Sequence, residues 1–505
     1  MRNRRRSFES KPTIRFLKAG NSLAVISRSD AVLGLLESKL QYTEKKFLYG
    51  KERYTRGKRI EFTERDCFTY DLKGRLVCPY GFYERLASCL EDRGYRVVIE
   101  DLRPHERPEI FEPNWDNVLD FAKLRYGQGE MLVQILANTC GQISCPPGYG
   151  KSFAIALLTK ALPKARIDII APDADVVRNI YKDLVGMIPS VGIIMASQNV
   201  VDKRVMVYSA SSLHHSRFDA DVVLGDEVHK LAADKYIPNL VRYRRSRNFG
   251  FSATLDMRLD NKDMRVEGIF GPLIYKVSYS AAVKHGLIVP IEVHWRNVIM
   301  DVDPCADHSE ETRTRWGIWR NRFRNRLIAG DAKAAGKDQQ VLIVVRTIDH
   351  AVHLKRELPE FTLMYAENNL GYAERDTYVR RGLIMDEEPW MTLDRRKRLK
   401  EQFESGELRK VIATSVWDQG VNFHNLSVLI RADASASPTL DTQIPGRTSR
   451  LSTGKERGII IDYLDQFNLG FARRAKKRWS SYAANGWKQY LPEAPAGLLQ
   501  KQLFA

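Results

Sequence analysis

Lys151 and Ser152 end the run Cys-Pro-Pro-Gly-Tyr-Gly-Lys-Ser at 145–152, and two acids, Asp226 and Glu227, stand side by side further along the chain. The loop has the residues to cradle phosphates. Pro147, Gly148, Tyr149 and Gly150 form a turn whose glycines let backbone N–H groups point inward, Lys151 can reach the β- and γ-phosphates, and the Ser152 hydroxyl can hold Mg²⁺. The acids suit the partner role. Asp226 can coordinate the metal of a nucleotide, and Glu227 can orient and polarise an attacking water. Only the first position departs from the GxxxxGK[ST] spacing, where Cys145 replaces glycine.

The flanking residues indicate the elements that must position this chemistry. Gln142-Ile143-Ser144 reads as a strand and Phe153 to Leu162 as a helix, so the loop joins strand to helix. Val222-Val223-Leu224 is continuously apolar, as a parallel strand covered on both faces must be. Asp226 and Glu227 then fall at its carboxyl end, where ligands of open α/β sheets sit. An ordinary strand-turn-helix would explain the loop alone, and a solvated helix start would explain the acids alone. Their joint occurrence favours an α/β nucleotide-binding domain.

Further short patterns follow in a fixed order, and together they resemble the superfamily 2 helicases. Leu124-Arg125-Tyr126-Gly127-Gln128 resembles the adenine-recognition element, which would place Gln128 on the base with Arg125 nearby. Residues 145–152 match motif I, Ile169–Pro172 motif Ia, Tyr208–Leu213 motif Ib, Asp226-Glu227-Val228-His229 motif II in DExH form, and Phe251–Thr254 motif III. Val341–Val345 opens a second motor domain at motif IV, Ala413–Asn422 is motif V with Gly420 in the nucleotide-binding set, and Gln443–Arg450 is motif VI. Within the superfamily, Arg247–Phe251, Gly268–Tyr275 and Gly81–Pro104 are most similar to the phage UvsW group, which shares features with XPB-type helicases. The family usually carries Asp where Asn422 stands; an amide accepts hydrogen bonds but brings no charge, so a charge-dependent role does not carry over to it.

The resemblance implies two tandem RecA-like domains with parallel sheets, ATP and Mg²⁺ in the cleft between them, and nucleic acid across the opposite edge. Arg450 would be the arginine finger with Arg447 beside it, and Gln443 would lie near the γ-phosphate or its water. A guanidinium supplied by a second domain stabilises the charge of phosphoryl transfer only when the domains close, which couples hydrolysis to motion. The resemblance also implies DNA over RNA, and branched DNA such as forks and junctions.

Composition agrees with a polyanionic partner. The 505 residues carry 80 Lys and Arg against 62 acids, a formal charge of +18, and 44% are apolar, enough for sizeable cores. The six cysteines form no CxxC pair and imply neither a zinc site nor a disulfide framework; a reducing cytoplasmic setting fits, in the host if the chain is phage-encoded. The basic start (Arg2, Arg4, Arg5, Arg6) lacks an apolar h-region, and no stretch approaches the ~20 apolar residues of a membrane span. A monomer is favoured over an oligomer.

These anchors divide the chain into a small α+β accessory domain at 1–110 that could bind DNA, a first motor domain at 111–291, a second at 292–465, and a basic extension at 466–505. Residues 292–300 are expected to carry the chain between the motor domains. Lys45–Tyr54 interleaves basic and aromatic residues, which suits either base stacking or a hairpin core. Arg313–Arg326 reads as an arginine-rich helix with Trp316 and Trp319 packed inward. Residues 368–396 are either a substrate-touching insertion or a family-specific loop, and Arg473–Arg478 either bind a duplex or form a solvated helix face. The best reading is an ATP-dependent DNA helicase or translocase. The alternatives are an RNA helicase or duplex translocase without strand separation, and a scaffold with a degenerate motor.

Overall fold

The computed structural model describes residues 11–48, 59–102, 108–121, 124–253, 262–366, 370–414 and 423–492. Thr254 of motif III, Gly420 and Asn422 of motif V, Arg2 to Arg6, and the distal part of Lys45–Tyr54 lie outside them. The chain divides into two compact units: Met1–Cys145 with Lys151–Val277, and Pro146–Gly150 with Ser278–Ala505.

The first unit holds three sheets. Strands β1 (Thr13–Ala19), β2 (Ser22–Ile26), β5 (Thr69–Tyr70), β6 (Leu76–Pro79) and β7 (Arg96–Asp101) form a mixed sheet in the order β5-β6-β2-β1-β7. Its inward alternation (Ile14, Phe16, Leu23, Val25) packs on helices Asp30–Lys39 and Tyr83–Glu91 through Leu36, Leu86 and Leu90. Among the described residues, strands β3 (Gln41–Leu48) and β4 (Arg59–Asp66) pair only with each other, as an antiparallel ribbon. This N-terminal module is built onto the third sheet. Asn21 donates from its backbone to the Arg244 carbonyl (2.8 Å) and from Nδ2 to the Tyr243 carbonyl (2.6 Å). Gly20 sits at φ +63°, with any Cβ only 1.9 Å from the Arg244 oxygen, so the turn needs glycine twice over.

The third sheet has eight strands: β8 (Cys140–Ser144), β9 (Ile167–Ala171), β10 (Val191–Met195), β11 (Gln198–Val200), β12 (Val205–Ser209), β13 (Val222–Asp226), β14 (Arg247–Ser252) and β15 (Leu273–Lys276). Their order is β11-β10-β12-β9-β13-β14-β8-β15, and every pairing except β10–β11 is parallel. β9, β10, β12 and β13 are buried at every position, which is why they read as continuous apolar runs.

The second unit is built on a wholly parallel sheet: β16 (Ile291–Val298), β17 (Gln340–Val344), β18 (Thr362–Met364), β19 (Lys410–Ala413), β20 (Leu426–Arg431), β21 (Gly458–Asp465) and β22 (Lys488–Tyr490), ordered β18-β19-β17-β20-β21-β16-β22. Two parallel-sheet domains and an N-terminal α/β region are thus present, as tandem RecA-like architecture requires.

Several local expectations are corrected. Residues 292–300 do not form a connection: Ile291, Val293, Trp295 and Val298 turn inward and make β16 a strand of the second sheet. The Arg313–Arg326 helix is broken. Helix Glu310–Thr314 passes into a π-turn at Arg315–Trp319, and a new helix, Arg322–Ala334, starts at Asn321, whose side chain caps the Arg324 N–H (3.1 Å). Trp316 is 40% exposed and stacks on His308 rather than filling a core, while Arg324 is buried on Asp465 (2.7 Å). Residues 370–391 place Leu370, Tyr378, Leu383, Ile384 and Met391 in the second unit's core, which supports the plain structural reading of that stretch. Residues 466–492 are also built in. β22 extends the sheet, and helix Leu469–Ala484 buries Arg478 on Asp462 (2.9 Å), while Arg473, Lys476 and Lys477 stay exposed.

Candidate active site

The phosphate-loop chemistry assembles at the carboxyl edge of the eight-stranded sheet. β8 ends at Ser144 and helix Lys151–Ala161 begins at Lys151, with Cys145–Gly150 as the turn between them. Gly148 (φ +87°) and Gly150 (φ +99°) occupy the left-handed region, where a side chain is strained. Cys145, the departure from the motif, is buried, and burial pushes its thiol up to about 12 despite nearby Lys151; it is packing, not a nucleophile. Its N–H donates to the Ser252 carbonyl (3.2 Å), tying motif I to motif III.

β13 delivers the two acids to the same place. Lys151 Nζ lies 2.6 Å from Glu227 Oε1 and 3.6 Å from Asp226 Oδ1. Burial alone would raise the Glu227 carboxyl; Lys151 and then His229 outweigh it and hold the group at about 2. Asp226 goes the other way: burial raises it, and the Glu227 charge adds to burial against Lys151. Lys151 is held above its ordinary value, burial being overcome by Glu227 and Asp226. One cation between two carboxylates pushes their affinities for protons apart, the pattern of a metal ligand beside a water-orienting group. Glu227 has φ +48° and ψ +48°, so the strand ends abruptly and the side chain is redirected toward Lys151.

Two buried polar atoms test whether these residues fit a magnesium nucleotide. Asp226 Oδ1 meets Lys151 only as a long ion pair (3.6 Å) and has no hydrogen-bond partner among the described residues, which leaves its lone pairs open to a metal or its water. Gln128 is fully buried, and its Oε1 accepts from the Arg125 N–H (2.9 Å), while its Nε2 has no partner among the described residues. An unpaired buried amide donor is costly, and a purine ring nitrogen would satisfy it. Arg125 lies 6.0 Å from the Phe153 ring. Both orphans fit the group that the motifs call for. Ser152 opens the helix beside Lys151, half-buried.

Some functional contacts were not drawn from the sequence. His229 Nδ1 lies 2.9 Å from Ser252 Oγ and 3.4 Å from Glu227 Oε2, so it joins motif II to motif III behind Glu227. Lys230 reaches Asp173, just past motif Ia (3.1 Å). The letters of the DExH and Ser-Ala-Thr patterns were the available signal for the first contact. The second has no local signature.

Gln443, Arg447 and Arg450 lie in the second unit. Gln443 ends helix Pro438–Gln443, and Arg447 sits buried in the 3₁₀ turn Pro445–Ser449, its guanidinium 5.9 Å from the Phe423 ring. Arg450 follows as the half-buried residue that leaves this turn. A buried ionic network holds the segment: Arg431 meets Asp433 (2.8 Å) and Asp441 (3.0 Å), and Arg478 meets Asp462. Asp441, two residues before Gln443, is pushed up to about 6 by burial, against the pull of Arg431.

Comparison with known proteins accords with this geometry. The family model described as the type III restriction enzyme res subunit matches residues 121–257, and that of the helicase conserved C-terminal domain matches residues 325–452. The chain therefore carries both helicase domains of a nucleic-acid-dependent ATPase. It is similar to "Probable helicase D10" of Escherichia phage T5, 24% identical over 422 residues, covering 79% of this chain and 82% of that protein. A protein named helicase 22, from Sulfolobus islandicus filamentous virus, is 22% identical over 274 residues, covering 51% of this chain and 45% of its own length, so the match spans under half of that relative. Among solved structures, the fragment of an HsdR subunit of a type I restriction enzyme from Vibrio vulnificus YJ016 shares the fold, with a TM-score of 0.54 at 16% identity, covering 93% of this chain and 98% of that one. The T4 UvsW crystal structure aligns over 95% of this chain and 99% of that one at 16% identity and a TM-score of 0.42, too loose a superposition to assign a branch of the superfamily. No helix among the described residues is long and apolar enough to cross a membrane.

Proposed function

We propose that the chain is an ATP-dependent DNA helicase or translocase that remodels branched DNA. The observation that carries the ATPase part is the cluster of Lys151, Asp226 and Glu227 at the carboxyl edge of a parallel sheet, with two orphaned polar atoms that fit a magnesium nucleotide. In this reading Lys151 binds the β- and γ-phosphates, and Ser152 and Asp226 hold Mg²⁺, which supplies charge neutralisation for phosphoryl transfer. Glu227 orients the water. Gln128 reads the base, and Arg447 and Arg450 stabilise the developing charge, with Gln443 beside them.

DNA is chosen over RNA on the sequence resemblance; the formal charge of +18 suits either polyanion. ATP hydrolysis measured without effector and with single-stranded DNA, duplex DNA, forked DNA and RNA tests both halves of the proposal. Greatest stimulation by forked DNA, with strand displacement, is expected. Greatest stimulation by RNA overturns the substrate assignment, and ATPase without strand displacement leaves a translocase.

A further inference from the structure

The N-terminal ribbon β3–β4 pairs with no other strand among the described residues, yet one of its acids is deeply buried. Glu44 is 1% exposed. Within the ribbon, Arg65 Nε donates to Glu44 Oε2 (2.7 Å). The other partners come from the motor sheet's connections. Lys262 Nζ lies 3.0 Å from Glu44 Oε1, and Arg265 Nη2 lies 4.0 Å from Oε2. Lys262 and Arg265 also pair with Asp234, Lys262 at 3.0 Å.

The positions of these partners in the chain give the cluster its meaning. Asp234 follows motif II and its short helix Val228–Leu231. Lys262 and Arg265 follow motif III, at the start of helix Asp263–Phe270. Motifs II and III are themselves joined by the His229–Ser252 contact beside Glu227. A single buried carboxylate of the N-terminal module is therefore bonded to the segment that leaves motif III, and through shared cations to the segment that leaves motif II. A surface ion pair would transmit little. Here Glu44 and Lys262 are 1% and 9% exposed, so the link is short and water-poor, and moving one partner leaves the other buried without its charge.

We propose that Glu44 is a positioning residue that couples the N-terminal ribbon to the ATPase centre through Lys262. Displacement of the ribbon by bound DNA then shifts the segments after motifs II and III, and with them His229 and Glu227. This coupling rests on the proposed DNA-stimulated ATPase.

The test uses the full chain as wild type, Glu44→Gln, Lys262→Gln, Arg65→Gln and the double variant Glu44→Gln/Lys262→Gln. ATP hydrolysis with and without forked DNA is measured, together with amide hydrogen exchange over residues 262–270. Glu44→Gln and Lys262→Gln should each lower the DNA-stimulated kcat by about tenfold, a usual size for coupling between sites, with the KM for ATP and the DNA-free rate unchanged. The double variant should be no worse than either single one, because the pair acts as a unit. Exchange over 262–270 should quicken by about tenfold. Arg65→Gln leaves the Lys262 link in place and should keep stimulation. Unchanged stimulation in Glu44→Gln and Lys262→Gln overturns the proposal. So does a parallel fall of the DNA-free and stimulated rates, which marks simple structural support. Should DNA fail to stimulate the wild type, the functional reading fails; exchange then decides the link, and unaltered exchange in Glu44→Gln refutes it.

Discussion

Lys151→Met should destabilise the nucleotide-free protein in a pH-dependent way. Glu227 lies 2.6 Å from the ammonium and is 19% exposed. Burial raises its carboxyl, yet Lys151 and His229 hold it at about 2 instead of 4.5. A displacement of that size is equivalent to about 3 kcal/mol, a ceiling because Asp226 shares the same cation. The folded-state value is depressed, so the stabilisation is complete above the unfolded value of 4.5 and is lost as pH falls toward 2. Without Lys151, two adjacent buried carboxylates face each other and one must take up a proton. The variant should therefore lose about 1–3 kcal/mol near neutral pH, on the order of 5 °C in the melting of the first unit. The gap should close mainly as both proteins are taken from about pH 4.5 toward pH 2. Calorimetric melting of wild type and variant across that range measures it. A gap that does not vary with pH, or that widens in acid, would refute the ion-pair reasoning.

Four other outcomes follow from the same geometry. Glu227→Gln keeps the shape of the site and removes the charge, so ATP should still bind while turnover falls by about 10²–10³; loss of binding as well would make residue 227 structural or a direct metal ligand. Gln128→Ala removes the unpaired Nε2 and should raise the KM for ATP by about tenfold, with little change for a pyrimidine triphosphate, as competition kinetics would show. Arg450→Ala should lower kcat by about 10²–10³ with the KM for ATP little changed, and an unaltered kcat removes it from the finger role. A chain beginning near Glu112 loses the Phe82 ring from the face of Gly268 and the Asn21 hydrogen bonds to residues 243 and 244, so it should melt lower. Its log affinity for forked DNA should depend less steeply on log salt, by ~0.9 for each phosphate that the shortened chain no longer neutralises; an unchanged slope places DNA binding elsewhere.

The nucleotide site was legible because phosphate chemistry demands particular residue types at particular spacings. Lys151, Ser152, Asp226 and Glu227 announce themselves at the ends of apolar runs, and those runs are apolar because β9, β12 and β13 are buried on both faces. Buried charge was not legible. Arg324 and Arg478 look like any solvated arginine in a basic helix, but each is fully buried on an aspartate contributed by β21. Nothing local marks such a pairing. The same holds for Glu44 and Lys262, which meet only after the N-terminal module folds onto the motor sheet. Trp316 misled for the opposite reason: a tryptophan in a helical pattern is core by default, and the π-turn at Arg315–Trp319 rotates it outward. Residues 368–396 resembled an insertion because they are longer than a minimal connection between motifs IV and V and carry charges of both signs, although Tyr378, Leu383 and Ile384 reach the core.

The central claim is that Lys151, Asp226 and Glu227 make a nucleic-acid-dependent ATPase. Phosphate release by the full chain at saturating ATP and Mg²⁺, with forked DNA added or withheld and Glu227→Gln as the blank, tests it most directly. The account predicts hydrolysis that rises with forked DNA in the wild type and falls by about 10²–10³ in the variant under both conditions. Equal rates in the wild type and Glu227→Gln, or no hydrolysis by the wild type with any single-stranded, duplex or forked DNA or with RNA, would contradict it.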